Sequence, residues 1–233
     1  MLSNRSATIL EAVINEFIET GIPVSSGGLY ETYEFGVKPA TIRNELHLLT
    51  EEGYLEQPHT SGGRVPTDKG YRFFVDRSLD SFDNRSINAM ARLMQYVGKD
   101  LERKRFEQFI QSVAERLSVL SIGYEPERES MIKSGLHGLV SGMETEGSRE
   151  IVDVVSDFEK LEKRIDRLMG SLHHGVPSVF IGESPITKSK HISVIAGKYN
   201  IAGTNLILIA VGPKRMDYHR NISFFKQLEN FMK

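Results

Sequence analysis

The sequence predicts an α+β protein built from two domains. Three stretches between residues 6 and 53 place apolar residues at helical spacing. Two short extended segments around a pair of glycines follow, and the last third of the chain combines helical patterns with short runs rich in β-branched residues. A chain of 233 residues is long enough for two domains of ordinary size.

Three helices are predicted first. One covers residues 6 to 20 with Ser6 as its N-cap, and a short second helix fits residues 26 to 33. The third begins at Pro39, because proline is favoured in the first turn of a helix, and it ends at Gly53. Its apolar side chains fall within one narrow arc and should face the core: Ile42, Leu46 and Leu49.

A small hairpin and a fourth helix are predicted next. Residues 54 to 57 and residues 64 and 65 form the strands, and the glycine pair between them allows the turn. Pro66 ends the second strand because it cannot donate a hydrogen bond to the ladder, and Thr67 then begins a helix. Three helices followed by a hairpin is the order of a winged helix-turn-helix domain, which we assign to residues 1 to 78.

The rest of the chain divides into a linker and a second domain. A helical linker is predicted over residues 79 to 123, and its stripe of Phe and Met side chains is a candidate dimer surface, although such stripes are more often intramolecular core. Residues 124 to 233 form the α+β domain, which ends in a helix from Tyr218 onward. Its expected strands include residues 179 to 181, 192 to 196 and 206 to 211.

The charge distribution excludes nucleic-acid binding through a general positive charge. The chain has a formal net charge of −2. Residues 1 to 78 alone hold seven Lys and Arg against eleven Asp and Glu, which gives −4. Any DNA contact must therefore depend on a few well-placed side chains, since attraction to phosphates requires clustered cations.

Composition and motifs exclude several other classes. The absence of cysteine removes disulfides, thiolate metal sites and thiol nucleophiles. No HExxH metal pattern, phosphate-binding glycine loop or GxSxG motif occurs, so we expect no enzyme activity, no metal and no cofactor. No apolar run is long enough to span a bilayer, and we expect a cytoplasmic protein without membrane contact.

The third helix carries one group of candidate DNA-binding residues. They lie opposite the apolar arc or at the start of the helix: Lys38, Ala40, Thr41, Arg43, Asn44 and His47. Arginine binds guanine and asparagine binds adenine through two hydrogen bonds each, and an alanine methyl packs on the thymine methyl. The alternative is an ordinary solvated helix face, because Glu45, Glu51 and Glu52 lie on the same element and would repel phosphates.

The hairpin carries a second group of candidates. They are a cation and polar groups expected at the tip of a projecting loop, with two further cations just behind it: His59, Thr60, Ser61, Arg64, Lys69 and Arg72. Such groups suit contact with phosphates or with the minor groove. Alone, an ordinary surface hairpin explains them better. Together with the third helix, their order and spacing favour DNA binding.

Several segments closely resemble the family of the heat-inducible transcription repressor HrcA. The longest is Glu-Gly-Tyr-Leu-Glu-Gln-Pro-His-Thr-Ser-Gly-Gly-Arg-Val-Pro-Thr-Asp-Lys-Gly-Tyr-Arg-Phe, which follows Pro-Ala-Thr-Ile-Arg-Asn-Glu-Leu in the third helix. The resemblance covers residues 1 to 78 and, less closely, residues 130 to 233. The matching segments are residues 18 to 21, 39 to 46, 52 to 73, 181 to 183 and 212 to 218.

The resemblance implies a dimeric repressor that binds double-stranded DNA at an inverted-repeat operator, called CIRCE, upstream of chaperone operons. It also implies a GroE-type chaperonin as a partner that supports the active repressor. The second domain should be GAF-like. Two other functions remain open: a winged-helix repressor of other genes that responds to a small molecule, and a protein-interaction module that does not bind DNA.

The sequence departs from the family pattern at two places. Only a six-residue polar link joins Tyr124 to Met131, where an inserted dimerisation domain interrupts the family's second domain. We therefore expect a reduced GAF-like domain and a different dimer contact. Gly27 stands where the family usually has a basic residue, so one phosphate contact is expected to be lost.

Overall fold

The chain forms two compact units in a computed structural model, Met1–Asp80 and Ser81–Lys233. The structure describes residues 2–59, 62–80, 95, 105–143, 148–201 and 203–231. Most of the predicted linker, residues 81–94 and 96–104, lies outside the described residues. The candidate dimer surface can therefore be followed only in its last part.

Three helices open the N-terminal unit: α1 (Asn4–Thr20), α2 (Ser26–Thr32) and α3 (Pro39–Glu51). The predicted cap of α1 is wrong, because Ser3 is the N-cap and its side chain accepts a hydrogen bond from the Ser6 amide. Ser3 has the extended backbone that a capping residue needs, whereas Ser6 lies inside the first turn. The predicted apolar arc of α3 is fully buried against α1 and α2.

Two short antiparallel strands follow, β1 (Leu55–Glu56) and β2 (Val65–Pro66). The second strand begins one residue later than predicted and includes Pro66. Arg64 instead pairs with Val24, between α1 and α2, through two backbone hydrogen bonds of 2.8 and 2.9 Å. This pairing depends on Gly63, since a Cβ atom there would lie 2.4 Å from the Pro23 carbonyl oxygen.

Helix α4 (Asp68–Asp80) completes the unit. Thr67 caps it by accepting a hydrogen bond of 3.2 Å from the Gly70 amide, and its hydroxyl donates 2.7 Å to the Gly53 carbonyl oxygen. Gly70 allows α4 to approach Tyr54 closely, because a Cβ atom would lie 2.3 Å from the Tyr54 carbonyl oxygen. The elements thus follow the predicted order.

A five-stranded antiparallel sheet forms the centre of the second unit, with the strand order β4-β3-β7-β6-β5. The strands are β3 (Leu120–Glu125), β4 (Ser130–Ser134), β5 (Ser178–Ile181), β6 (Ile192–Ile201) and β7 (Thr204–Pro213). The predicted α+β class is confirmed. A short 3-10 turn, Pro126–Arg128, and its C-cap Glu129 form the whole connection between β3 and β4.

Helices cover both faces of this sheet: α5 (Phe106–Leu117), α6 (Leu136–Gly142), α7 (Ser148–Glu159), α8 (Ile165–Met169) and α9 (Tyr218–Phe231). Successive residues of a strand point to opposite faces. Ile122 belongs to the core shared with α6, α7 and α8. A Cβ atom on Gly123 would instead lie 2.5 Å from the Ile110 side chain of α5. Helix α9 packs on the same face of the sheet as α5. The Tyr199 hydroxyl of β6 donates a hydrogen bond to the Phe225 carbonyl oxygen of α9, and the Tyr218 hydroxyl of α9 is hydrogen-bonded to Ser193 of β6.

The second unit begins earlier than residue 124. Strand β3 lies in the interior of the sheet between β4 and β7, and α5 packs on β3 and β4. The apolar stripe of α5 is therefore core: Phe109, Ile110, Val113 and Leu117 are buried. This part of the predicted dimer surface is wrong, because its side chains are buried against the sheet of the same chain.

Candidate nucleic-acid interface

Helix α3 presents its polar candidates on one side. Five of them are exposed and define what we call the reading face: Lys38, Ala40, Arg43, Asn44 and His47. Thr41 is half-buried at the edge of this face. The opposite side of α3 carries the buried Ile42 and Leu46, so the amphipathic pattern fixes which way the polar side chains point.

Glu45 does not lie on the reading face, contrary to the expectation that it would repel phosphates. Its exposed fraction is 5%. One carboxylate oxygen accepts a hydrogen bond of 2.7 Å from Arg5 Nε, and the other accepts one of 2.8 Å from the Ser6 hydroxyl. A buried carboxylate needs such partners to offset its desolvation. Glu45 therefore joins α3 to the start of α1.

The other two acids lie at the C-terminal end of α3. Glu51 is exposed, and its Oε1 atom lies 3.4 Å from His47 Nε2. Glu52 follows the helix as its C-cap and is exposed as well. A recognition helix contacts bases mainly through its N-terminal residues, so these two carboxylates lie away from the end that would approach the bases.

Arg64 lies at the base of the hairpin, so the expectation that it lies at the tip is wrong. Its backbone pairs with Val24, and its Nε atom donates a hydrogen bond of 2.9 Å to the Thr50 hydroxyl of α3. The arginine side chain is thereby held against the flank of α3. His59 is exposed where the chain turns. Thr60 and Ser61 lie outside the described residues.

The two cations of α4 differ in their contacts. The Lys69 ammonium donates a hydrogen bond of 2.7 Å to the Glu52 carbonyl oxygen and lies 4.1 Å from the centroid of the Tyr54 ring. A cation at the C-terminal end of a helix is favourable, so Lys69 stabilises the end of α3. Arg72 is exposed on the same helix.

The roles of Arg5 and Thr50 were not predicted from the sequence. Arg5 donates a hydrogen bond to Glu45, and Thr50 accepts one from Arg64. The sequence did contain a signal that Glu45 has a partner. Glu45 falls within the apolar arc of α3, and a carboxylate there must find a cationic or hydrogen-bonding partner. The partner lies 40 positions earlier in the chain, so spacing alone could not identify it.

The second unit contains a small apolar cavity between the sheet and α7. It encloses about 20 Å³, enough for about one water molecule and too little for a metabolite. Its lining residues are Leu120, Leu139, Val154, Asp157, Phe158, Leu161, Ile186, Thr187, Ile192, Val194 and Val211. A ligand would therefore need a rearrangement of this core.

Asp157 fixes the loop beside this cavity. Its carboxylate accepts hydrogen bonds of 2.6 Å from Arg164 Nη1, 2.6 Å from the Thr187 hydroxyl and 2.8 Å from the Lys188 amide. Burial by itself would raise the pKa of Asp157, but the donors from Thr187 and Arg164 outweigh it and leave the pKa below its ordinary value. These hydrogen bonds hold the loop at Thr187 and Lys188 against α7 and have a structural role.

Two properties of the described residues bear on metal binding and on membrane insertion. No group of three or more His, Asp or Glu side chains there has the arrangement to hold a metal ion. None of the helices in that part of the chain combines the length and the apolar character needed to cross a membrane.

The fold is similar to that of a solved structure. It is described as the crystal structure of a hypothetical protein at 2.2 Å resolution, and it has a TM-score of 0.73 with 19% sequence identity. The match covers 99% of this chain and 96% of that chain. At this identity the likeness establishes the fold alone.

The sequence comparisons converge on one family. The heat-inducible transcription repressor HrcA of Thermobifida fusca is 30% identical over 204 residues, 79% of this chain and 56% of the relative. That of Frankia casuarinae is 53% identical over 77 residues, 33% of this chain and 23% of the relative. The chain thus spans about half the length of the first and about a quarter of the second. The family model of the HrcA protein C-terminal domain matches residues 74–222, more than half of the chain, and the chain therefore belongs to the HrcA family.

Proposed function

We propose that this chain is a DNA-binding transcriptional repressor of heat-shock chaperone operons and acts in the cytoplasm. Residues 1 to 78 are its winged helix-turn-helix domain, and a reduced GAF-like domain follows. One observation carries the proposal: Arg43 and Asn44 lie side by side on the exposed face of α3, while Ile42 and Leu46 anchor the opposite face in the core. Membership of the HrcA family supports the regulatory role.

The reading face has the chemistry that direct recognition of bases requires. Arg43 suits a guanine edge and Asn44 an adenine edge, and each good bidentate contact contributes about 1–3 kcal/mol of discrimination. Ala40 is small, which lets the start of α3 approach the groove closely and place a methyl group against thymine. Lys38 precedes the helix and suits a phosphate. The burial of Glu45 removes the carboxylate that would have opposed this contact.

The operator should be an inverted repeat of the CIRCE type. One recognition helix contacts only a few base pairs, and two copies related by two-fold symmetry read two half-sites. We therefore propose a homodimer. The α5 stripe is unavailable for the dimer contact because it packs on the sheet. The family also points to a GroE-type chaperonin as the partner that controls the amount of active repressor.

The cavity beside α7 is not the site that a metabolite-controlled repressor would need. A volume of about 20 Å³ suits a water molecule, and its lining is almost entirely apolar. The remaining alternative, an interaction module that does not bind DNA, makes a different prediction in a DNA titration.

Fluorescence anisotropy of a labelled CIRCE-type repeat and a scrambled duplex tests the proposal. We expect preference for the repeat and its loss in Arg43→Ala, with an affinity decrease of about 5- to 150-fold from a bidentate contact. Arg167→Ala is the matched control, because Arg167 is an exposed arginine in α8 of the second unit. Equal weak binding to both duplexes, persisting after chaperonin is added, would favour the interaction module.

A further inference from the structure

Two arginines are held against α3 in the same manner. Arg5 Nε donates to Glu45 Oε1 at 2.7 Å, and Arg64 Nε donates to Thr50 Oγ1 at 2.9 Å. The arginines come from different elements, α1 and the base of the hairpin. Each therefore ties a separate part of the N-terminal unit to α3 through the nitrogen nearest its own aliphatic stem.

The two contact points lie on opposite borders of the exposed side of α3, which includes the reading face. Each helical residue turns by about 100°, so Glu45 and Thr50 stand about 140° apart around α3. The shorter arc between them holds the buried side chains Ile42, Leu46 and Leu49. The longer arc holds the exposed side chains of the reading face. Glu45 and Thr50 thus mark the two borders between the buried and exposed sides of α3.

This arrangement leaves the outer edge of each guanidinium available. A guanidinium is planar and has five N–H donors, and an acceptor on Nε fixes its plane without using the edge formed by the two Nη atoms. Of the Arg5 side chain, 56% is exposed, whereas Arg64 is half-buried. Within the described residues, Arg5 and Arg64 have no ion pair or hydrogen bond through their Nη atoms. That edge matches the geometry of two phosphate oxygens.

We propose that Arg5 and Arg64 are a pair of phosphate clamps, one for each DNA backbone that borders the groove occupied by α3. The inference rests on the proposed function and adds a DNA contact from α1, outside the helix and hairpin that carry the sequence motifs. An α-helix nearly fills the major groove, which is about 12 Å wide, so phosphates come close to both flanks of the helix. Glu45 and Thr50 are positioning residues, because they orient the guanidinium groups before DNA arrives.

The salt dependence of binding distinguishes a phosphate contact from a merely structural role. Each phosphate contact contributes about 0.9 to the slope of log K against log salt concentration. In a homodimer each substitution removes one such contact from each of the two protomers. We therefore expect Arg5→Gln and Arg64→Gln each to reduce the slope by about 1.8, and the double variant by about 3.6, on repeat and scrambled duplex alike. Arg167→Gln should leave the slope unchanged. Glu45→Gln keeps an acceptor for Arg5 and should retain the full slope.

A second measurement uses the unaltered protein and so does not depend on the folding of variants. Methylphosphonate linkages neutralise single phosphates, and we place them one at a time along both strands of each half-site. The two clamps predict that neutral linkages on both strands weaken binding. Sensitivity confined to one strand would overturn the pair of clamps, as would an undiminished salt slope in Arg5→Gln.

The failure of this inference and the failure of the proposed function give different results. If the unaltered chain binds neither duplex, with or without chaperonin, the proposed function fails and the clamps fail with it. If the unaltered chain prefers the repeat and Arg5→Gln binds with the same slope, the function stands and the role of Arg5 is refuted.

Discussion

Arg5 and Glu45 form an ion pair of 2.7 Å that joins the first turn of α1 to the middle of α3. The carboxylate is 7% exposed at its side chain, while the arginine remains mostly in solvent. Without its cation, the carboxylate would keep the hydroxyl of Ser6 as its one hydrogen-bond partner among the residues that the structure describes. The pair therefore contributes to the stability of the N-terminal unit as well as to the position of α3.

Loss of this ion pair should loosen α1 and α3 together. We expect Arg5→Ala to lower the free energy of opening of these helices by about 1–3 kcal/mol, because a buried charged acceptor loses its partner. Hydrogen exchange of peptides from α1 and α3 measures the effect. Peptides from β6 and β7 are the internal reference, and equal protection of α1 and α3 in both proteins would contradict the prediction.

Gly27 should tolerate a side chain. A Cβ atom there would have Ser25 Oγ as its nearest neighbour, at 3.8 Å, which is ordinary contact. We expect Gly27→Ala to stabilise the chain by up to about 1 kcal/mol, since glycine costs about that much in a helix relative to alanine. Gly27→Lys should also strengthen DNA binding and increase its salt dependence. Calorimetry and anisotropy measure the two effects.

Gly63 provides the matched comparison for Gly27. A Cβ atom on Gly63 would lie 2.4 Å from the Pro23 carbonyl oxygen and 2.7 Å from the Val24 carbonyl carbon. Gly63→Ala should therefore push the hairpin base away from Val24 and lower the thermal midpoint, whereas Gly27→Ala raises it. Equal changes in both variants would show that the pairing of Arg64 with Val24 contributes nothing to stability.

Tyr199 should stabilise the contact between β6 and α9. Its hydroxyl donates a hydrogen bond of 2.9 Å to the Phe225 carbonyl oxygen, and the residue is buried. We expect Tyr199→Phe to lower the free energy of unfolding by about 0.5–1.5 kcal/mol, the usual contribution of one such bond. Urea titration measures this loss.

Gly197→Ala should lower the free energy of unfolding by more than Tyr199→Phe does, because its Cβ atom would lie 2.4 Å from the Tyr199 hydroxyl oxygen. A smaller loss than in Tyr199→Phe would contradict this packing.

Asp157 should make stability depend on pH in the acid range. The pKa of Asp157 is lowered in the folded chain, so its stabilising contribution is fully present above its ordinary value of 3.8 and is lost as the pH falls below it. We expect the unaltered protein to be more stable than Asp157→Asn at pH 6. The difference should shrink as the pH falls below 3.8, as urea titrations would show. A constant difference would contradict this assignment.

Helical periodicity predicted the buried side of α3 correctly, because every core position falls within one arc and is repeated over three turns. The positions of Arg64 and Glu45 could not be predicted in this way. Arg64 pairs with a residue 40 positions earlier, and Glu45 finds Arg5 at a similar separation. Local patterns contain no information about such partners, so both residues were placed in solvent.

Strand β3 was missed for a different reason. Its burial pattern shows five buried positions out of six, because helices cover both faces of the sheet. A strand buried on both faces loses the alternation of apolar and polar residues that identifies strands in a sequence. The segment therefore read as a continuation of the helix that precedes it, which ends at Leu117.

The four-residue connection between β3 and β4 leaves a joint at which the sheet could accept an inserted domain. The two strands are antiparallel neighbours, paired from Ser121 with Ser134 to Glu125 with Ser130, so the chain leaves and re-enters the sheet at points about one strand spacing apart. A whole domain inserted there would need only closely spaced termini, which many domains have. The register of all five strands would stay unchanged. The joint is thus compatible with a compact turn or with an added module, and in either case the pairing of the other strands is kept.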